Sequence, residues 1–523
     1  MKITLIPSAA YVGSELAAEY GCLPSAFLPV GHQRLYELQI ASLLAPQIQS
    51  DIYLTVPQSF RVPIADLEWL ANHQVQIIPV PDGLSLSESV LFALEMIELP
   101  YDELNLLHGD TLIYDLPLEK SDVVAIGIPP DGYSWGALSN TGIIPSQELV
   151  LAGYFAFANA GLFRRSLARS QGHFVKAIEL YRDGADLVEI EVKNWLDFGH
   201  LQTFYRARCQ VRTQRTFNEL KISFREIFKS GEKGEKILAE SNWFGVIPAN
   251  LRMFTPALLG EGADPRPWYK LEYLPIPSLH ELFVFGSLED GSWRHIFDAC
   301  FYFIRNCLEM DKAELIASKH GPLRKLVLDK TGKRLDEFLD VNQIDPKTLW
   351  CYEGKKLHTL HEIAAITAAA IDFEKPNFHG VMHGDLCFTN IFYDFRTQKV
   401  QVIDPRGTID DITPSIYGDV RYDMAKLGHS IIGGYDFILA NRFSCRGFDG
   451  RDLSIQFYDD QKMKSLEQIA KDFNVNGLSM DSLEIQALII HLFLAMLPLH
   501  SDRPDRQRAF LANALRLFSV NFS

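Results

Sequence analysis

The stretch HGDLCFTN at residues 383–390 sets a histidine, an aspartate and an asparagine at the spacing HxDxxxxN, and Asp404 ends the apolar run VQVIDP fourteen positions after Asn390. Two carboxylates and an amide in that pattern suit phosphoryl transfer, which needs in-line positioning of a nucleophile and neutralisation of phosphate charge around magnesium. Asp385 on a loop would orient or deprotonate an acceptor hydroxyl. Asn390 would turn back towards the metal, and Asp404 would bridge the metal to nucleotide phosphates. The same tripeptide occurs earlier, in LNLLHGDTLIYD (104–115), where an apolar run delivers Asp110 to its carboxyl end. Asp197, in VKNWLDFGH, follows another strand-like run in that half of the chain. Two carboxylates converging from separate strands can hold a divalent metal against nucleotide phosphates. Either alone would more simply cap a helix or turn.

The elements that must carry these residues are of two kinds. From residue 1 to about 205, the strand-like runs KITLIPS, SDIYLTVP, QVQIIPV, ELNLLHGD, VVAIGIP, VLAGYFAFA and LVEIEVK alternate with helical patterns such as RLYELQIASLL, LSESVLFALEMI and HFVKAIELYRDG. That alternation predicts an α/β fold with a doubly wound, mainly parallel sheet and ligands beyond the carboxyl ends of its strands. After about residue 210 a short mixed segment leads to YKLEYLPIPSLHELFVF and then to a mostly helical stretch, interrupted by GVMHGD and the hairpin-like IFYDFRTQKVQVIDP. The two HGD tripeptides therefore stand in different contexts, and no repeating period joins them. Two domains are expected, 1–210 and 211–523.

Composition narrows the function classes. With 523 residues the chain exceeds the size of one growing core, and 47% apolar with 22% charged residues describes a folded protein. A formal charge of -16 argues against a nucleic-acid or anionic-membrane surface. Seven scattered cysteines without a CxxC pair read as reduced thiols in a cytoplasmic protein, with no zinc site. Pro7 and Glu15 leave too short an apolar run for a signal peptide, and ALIIHLFLAMLPL (487–499) reads as a buried core helix, so no membrane insertion is expected.

From about 213 to 510 the chain resembles the aminoglycoside phosphotransferase and choline kinase family, on the HGDLCFTN and VQVIDP motifs with EIFKSG, KILAESNWF, LEYL (271–274) and YGDVRYDMAKL. The resemblance implies a two-lobed, protein-kinase-like α+β domain, with a smaller lobe at about 211–275 and a larger one at about 276–523. It makes Asp385 the catalytic base and Asn390 and Asp404 magnesium ligands. His383 becomes a structural brace of the catalytic loop, and Asp423 the helix aspartate that ties that loop down. Lys229 would hold the phosphates of ATP with Glu240 as its helix partner, and the backbone at Glu272 and Tyr273 would read adenine. Gly384 stands where a protein kinase has arginine, and no activation loop follows Asp404, which favours a small-molecule acceptor. The nucleotide-covering loop lacks glycine, so Asn218 would approach the phosphates, and Arg406 in DPRG could touch an anionic or hydroxyl-rich acceptor.

Residues 1–205 resemble the sugar-phosphate nucleotidyltransferase family, which shares its architecture with many glycosyltransferases. The segments PSAFLPVGHQRLYELQI (24–40), LLHGDTL, LAGYFAF and WLDFGH carry the likeness, and PDGLSLSESV (81–90) falls where a base would be read. The resemblance makes Asp110 and Asp197 metal ligands. The signature loop, however, has Glu15 in place of an arginine and Ser25 in place of a lysine, and losing one well-placed electrostatic contact costs roughly a hundredfold to a thousandfold in rate. Either another cation such as Lys193 substitutes, or this half binds a nucleotide or nucleotide-sugar without making one.

Together these readings predict a bifunctional transferase in surface-polysaccharide metabolism. Its C-terminal domain would phosphorylate a sugar, polyol or amino alcohol from ATP with Mg2+, and its N-terminal domain would join the product to CTP, UTP or GTP. The alternative pairs the kinase with a glycosyltransferase-like or inactive binding module. The expected partner is a small-molecule substrate, and a homo-oligomer is compatible with the sequence.

Overall fold

The computed structural model describes residues 1–44, 50–129, 149–211, 218–309, 322–408, 413–447 and 451–523. The chain divides into two compact units, Met1–Val211 with Phe285–Ser287, and Arg212–Val284 with Leu288–Ser523.

The first unit is built on seven strands, β1 (Lys2–Ile6), β2 (Asp51–Pro57), β3 (Val75–Val80), β4 (Glu103–Leu107), β6 (Val123–Gly127), β7 (Val150–Phe157) and β8 (Val188–Glu191). They lie in the order β8-β6-β7-β4-β1-β2-β3. Of these strands β7 alone runs against its neighbours, pairing antiparallel with β4 and β6, while β1 pairs parallel with β2 and β4. Period-two alternation sends Leu104, Leu106, Phe155 and Phe157 to one face and Leu107, Tyr154 and Ala156 to the other. Each face is covered by helices. The first set packs against α4 (Leu86–Met96), α5 (Ala160–Arg169) and α6 (Phe174–Arg182), the second against α2 (Leu35–Leu44) and α3 (Ile64–Asn72). The α/β class expected from the alternation is the one observed. A small ribbon, β5 (Thr111–Ile113) with β9 (Trp195–Asp197), sets Asp197 opposite Thr111, next to Asp110. Helices α1 (Ser14–Tyr20) and α7 (Leu201–Gln210) complete the unit.

The second unit opens with an antiparallel sheet of β10 (Asn218–Ile222), β11 (Glu226–Gly231), β12 (Leu258–Gly262) and β13 (Trp268–Glu272), ordered β10-β11-β13-β12. Helix α8 (Gly234–Val246) follows β11 directly and buries Ile237, Ala239, Glu240, Trp243 and Phe244. The remainder is mainly helical, with α9 (Asp290–Leu308), α10 (Lys330–Val341), α11 (Arg421–Ile431), α12 (Leu483–Met496) and α13 (Pro504–Asn521). Two ribbons interrupt it, β14 (His379–Val381) with β17 (Tyr417–Asp419), and the hairpin β15 (Ile391–Asp394) with β16 (Lys399–Val402). The segment Leu483–His500 is long and apolar enough to cross a membrane, but 72% of it is buried inside the fold, as a core helix would be.

Candidate functional site

In the second unit, alternation along β11 turns Lys229 inward, where its Nζ lies 2.7 Å from Glu240 Oε2 on α8 and 3.0 Å from Asp404 Oδ1 beyond β16. Burial alone would lower the lysine pKa, yet the charges of Asp404 and Glu240 outweigh it and raise the value, so the ammonium persists. The Tyr269 hydroxyl on β13 donates to the same Glu240 oxygen at 2.8 Å. Asp404 adopts a left-handed backbone (φ 56°), which aspartate tolerates better than branched residues. Three residues on, Gly407 (φ +68°) brings the chain so close to α8 that a Cβ there would lie 2.2 Å from the Ala239 carbonyl oxygen. The Asp404 segment and the helix bearing Glu240 are thus in backbone contact.

The loop after β14 is held from three sides. Asp423 on α11 accepts the backbone N–H groups of His383 (2.8 Å) and Gly384 (2.7 Å). Burial pushes its carboxyl up to about 7 against the lowering effect of those two hydrogen bonds. His383 donates from Nε2 to the Ile403 carbonyl (2.9 Å) and accepts the Asp385 N–H at Nδ1 (3.2 Å), a pattern that assigns one neutral tautomer. Burial, only partly offset by Asp385, keeps the ring neutral, with its pKa pushed down to about 4. Gly384 has φ +79°, and a Cβ on it would lie 2.6 Å from Arg406 Cβ. That contact and the left-handed backbone call for glycine at this position.

Asp385 itself is 43% exposed and lies 2.9 Å from Lys426 Nζ. Partial burial would raise its pKa, but Lys426 first and His383 next overcome this and hold the carboxyl well below the usual range. Asn390, buried, donates from Nδ2 to the Asp385 carbonyl (2.9 Å) and to Oδ2 (3.1 Å), and its own carbonyl accepts the Ile403 N–H at 3.0 Å. These bonds connect Asp385, Asn390 and the strand end that presents Asp404.

Asp385, Asp404 and Arg406 line one cleft of about 1720 Å3 within this unit. Glu272, expected with Tyr273 to read adenine, ends β13; its N–H donates to Ala257 O (2.9 Å) and that of Tyr273 to Arg225 O (3.2 Å). The backbone of Asn218 begins β10, but its side chain lies outside the described residues.

In the first unit, Asp110 and Asp197 converge. A Cβ built on Gly199 would lie 2.8 Å from Asp110 Oδ2 and 3.4 Å from Asp197 Oδ1, so both carboxylates crowd one point above that glycine. Burial first, and the Asp110 charge next, raise the Asp197 pKa against hydrogen bonds from Thr203 and His200. Two close carboxylates in a buried setting favour a divalent cation between them. Ser25, at the expected lysine position, is close by. Its Oγ is 3.3 Å from Ser8 Oγ and would be 2.9 Å from a Cβ on Gly109. Glu15 on α1 and Lys193, between β8 and β9, are exposed. In PDGLSLSESV, Ser85 and Glu88 form a capping box that starts α4.

Sequence reasoning missed Lys426, although it lies one turn after Asp423 on the same helical face, the signal that could have found it. It also missed Lys330, Arg334, Tyr422 and His491, which line the cleft beyond Asp385.

No protein-family model and no curated protein matches the chain. Among solved structures, a Bacillus anthracis protein assigned as a glucose-1-phosphate thymidylyltransferase is similar at 14% identity, covering 41% of this chain and 97% of its own, with TM-score 0.34. An aminoglycoside-3'-phosphotransferase of type VIII is similar at 14% identity over 55% of this chain and 98% of its own, TM-score 0.31. The GDP and kanamycin complex of APH(2")-IIia matches at 11% identity over 60% and 93%, TM-score 0.35. The chain is thus similar to a nucleotidyltransferase on its N-terminal side and to aminoglycoside phosphotransferases elsewhere. At these scores the likenesses carry no chemistry, which rests on the side chains described above.

Proposed function

We propose that the second unit transfers the γ-phosphoryl group of ATP to a hydroxyl of a small metabolite. The observation that carries this reading is the double ion pair of Lys229 with Glu240 and Asp404, set beside Asp385 and Asn390 on a loop pinned by Asp423. Asp404 and the Asn390 amide oxygen are hard donors that suit Mg2+, and they would hold it with the phosphates and water supplying the other positions. The metal, when bound, neutralises charge on the phosphates. Lys229 binds phosphate oxygens, and Glu240 fixes the lysine's position. Asp385, kept ionised by Lys426, accepts a hydrogen bond from the acceptor hydroxyl and orients its oxygen for attack. It takes the proton late, once the new phosphorus–oxygen bond has made that proton acidic.

For the first unit we propose a nucleotide-dependent transfer in which Asp110 and Asp197 hold Mg2+. Nucleotidyl transfer to the phosphorylated product is the leading reading, because the product of one unit would be the substrate of the other. CTP, UTP or GTP would be the second nucleotide, and surface-polysaccharide assembly the setting. The uncharged Ser25 beside Gly109 and the exposed Glu15 favour a second reading, a glycosyltransferase-like or binding role that handles a nucleotide-sugar without releasing pyrophosphate. The proposed location is the cytoplasm, where the seven free cysteines would stay reduced.

The test is incubation with Mg2+, ATP, mixed CTP, UTP and GTP, and a panel of sugars, polyols and amino alcohols, read by mass spectrometry. A phosphorylated metabolite followed by its nucleotide-diphospho derivative supports both assignments. A phosphorylated metabolite that goes no further supports the kinase and the second reading of the first unit. ATP consumption without any phosphorylated acceptor counts against the kinase.

A further inference from the structure

Helix α11 meets the loop that carries Asp385 at three successive turns. Asp423 accepts the N–H groups of His383 and Gly384 at 2.8 and 2.7 Å, Lys426 pairs with Asp385 at 2.9 Å, and Ser430 Oγ accepts the Phe388 N–H at 3.0 Å. These side chains stand at i, i+3 and i+7 and so share one face of the helix. Asp423 and Ser430 hold backbone and fix the path of the loop. Lys426 reaches a side chain instead, and of the three it alone lines the cleft.

The ammonium group and the carboxylate are placed for different tasks. Among the described residues, Asp385 Oδ1 is held by Lys426 and Oδ2 by the Asn390 amide at 3.1 Å. The aspartate is 43% exposed, so lone pairs remain for an acceptor hydroxyl. The Lys426 side chain is only 14% exposed, and little water competes for its charge. Burial alone would lower its pKa, yet the Asp385 charge outweighs burial and raises the value, so the group is an ammonium ion. A γ-phosphoryl group that approaches Asp385 brings negative charge up to a carboxylate, an arrangement that is unfavourable unless a cation lies beside both.

We propose that Lys426 is a catalytic residue, its ammonium group binding oxygens of the phosphoryl group as that group passes to the acceptor. This rests on the kinase reading above and adds a member to its machinery. The acceptor oxygen forms a bond to the γ-phosphorus as the bond to the bridging oxygen breaks. ADP leaves with that electron pair, and the hydroxyl proton passes to Asp385. Protonation removes the charge that held the ammonium group, while the new phosphate monoester is left as an anion beside it. Lys426 thus changes partner in step with the proton. Its attraction to the phosphoryl group grows as the reaction proceeds, which is the condition for accelerating it.

The experiment uses the full chain with Mg2+ and ADP. Calorimetry reads how far the affinity for ADP rises when aluminium fluoride is added, the fluoride complex standing for the phosphoryl group in transfer. Lys426→Met should remove about tenfold to a hundredfold of that rise while the affinity for ADP alone is kept. The deciding comparison is made in the Asp385→Asn background, where Lys426→Met should still reduce the rise. A lysine that served only to position Asp385 would have no effect there. The double variant leaves no unpaired charge at this pair, so it also covers the case in which Lys426→Met alone does not fold. The inference is overturned if the wild type binds ADP without any rise, if Lys426→Met keeps the full rise or weakens ADP alone by the same factor, or if it has no effect in the Asp385→Asn background. Failure of the wild type to bind ATP or ADP would remove the kinase reading itself, and this inference with it.

Discussion

The two His-Gly-Asp tripeptides are the same three residues solving the same packing problem in opposite electrostatic surroundings. In each, the histidine is held neutral mainly by burial, His108 against Phe155 and Phe174, and His383 against Trp243. In each, the glycine admits a neighbouring chain: a Cβ on Gly109 would meet Ser8 Cβ at 2.7 Å and Pro7 O at 2.8 Å, and one on Gly384 would meet Arg406 Cβ at 2.6 Å. The aspartates then diverge. Asp110 faces a second carboxylate, Asp197, whereas Asp385 faces an ammonium group, Lys426. A carboxylate pair calls for an external cation, whereas a carboxylate paired with lysine stays ionised and can accept a hydrogen bond from a hydroxyl. The tripeptide is therefore a steric device, and its partners decide its chemistry.

The largest effect that would break this comparison is expected at the second tripeptide. Asp385→Ala should lower ATP-dependent phosphorylation by about a hundredfold to ten-thousandfold, measured as ADP release, with ATP binding retained. Full activity would leave the proton-handling role without support. Asp110→Ala should leave that ADP release unchanged and remove only the chemistry of the first unit; loss of both would show that the sites are not independent. Next in size are the glycines. Gly384→Ala combines the close contact with a left-handed backbone, and strain of this kind costs about 1–3 kcal/mol, to be read by denaturant unfolding. Gly109→Ala has the contact without the positive φ, so it should cost less.

The smallest effects lie in titration, and they should have opposite signs. The depressed Asp385 pKa contributes stability that is present above the ordinary carboxylate value near ~3.9 and is lost as pH falls through the lower folded value. Lys426→Met should move the acid limb of phosphorylation to higher pH. Asp197 has a raised pKa, so its contribution is most favourable below the ordinary value and declines as pH rises through the folded one. Asp110→Asn should move that titration to lower pH, as followed by carboxyl carbon resonances. Movement of both in one direction would mean that the two aspartates share one kind of environment.

How much of this was legible follows from what each feature depends on. Lys229, Glu240 and Asp404 could be placed because each sits at a fixed place on a strand, a helix or a strand end, and local pattern reports such places. The reversed direction of β7 could not be read, since VLAGYFAF buries alternate residues on both faces whichever way it runs. Lys426 and the cations of α10 escaped notice because their partners are distant in sequence and lysines on helices are usually solvated. The hydrogen bonds of the Glu272 and Tyr273 N–H groups to Ala257 and Arg225 could not be read either, since a strand-ending LEYL does not disclose its partners across the sheet. Asp110 and Asp197 were legible as a pair, whereas the hydrogen bonds of Thr203 and His200 to Asp197 were not.

The contact of Gly407 with the Ala239 carbonyl on α8 has a consequence for Lys229. A side chain at position 407 would have to push that helix outward, and Lys229 would then be drawn away from either Glu240 or Asp404, so this one glycine keeps both ion pairs within reach of a single ammonium group.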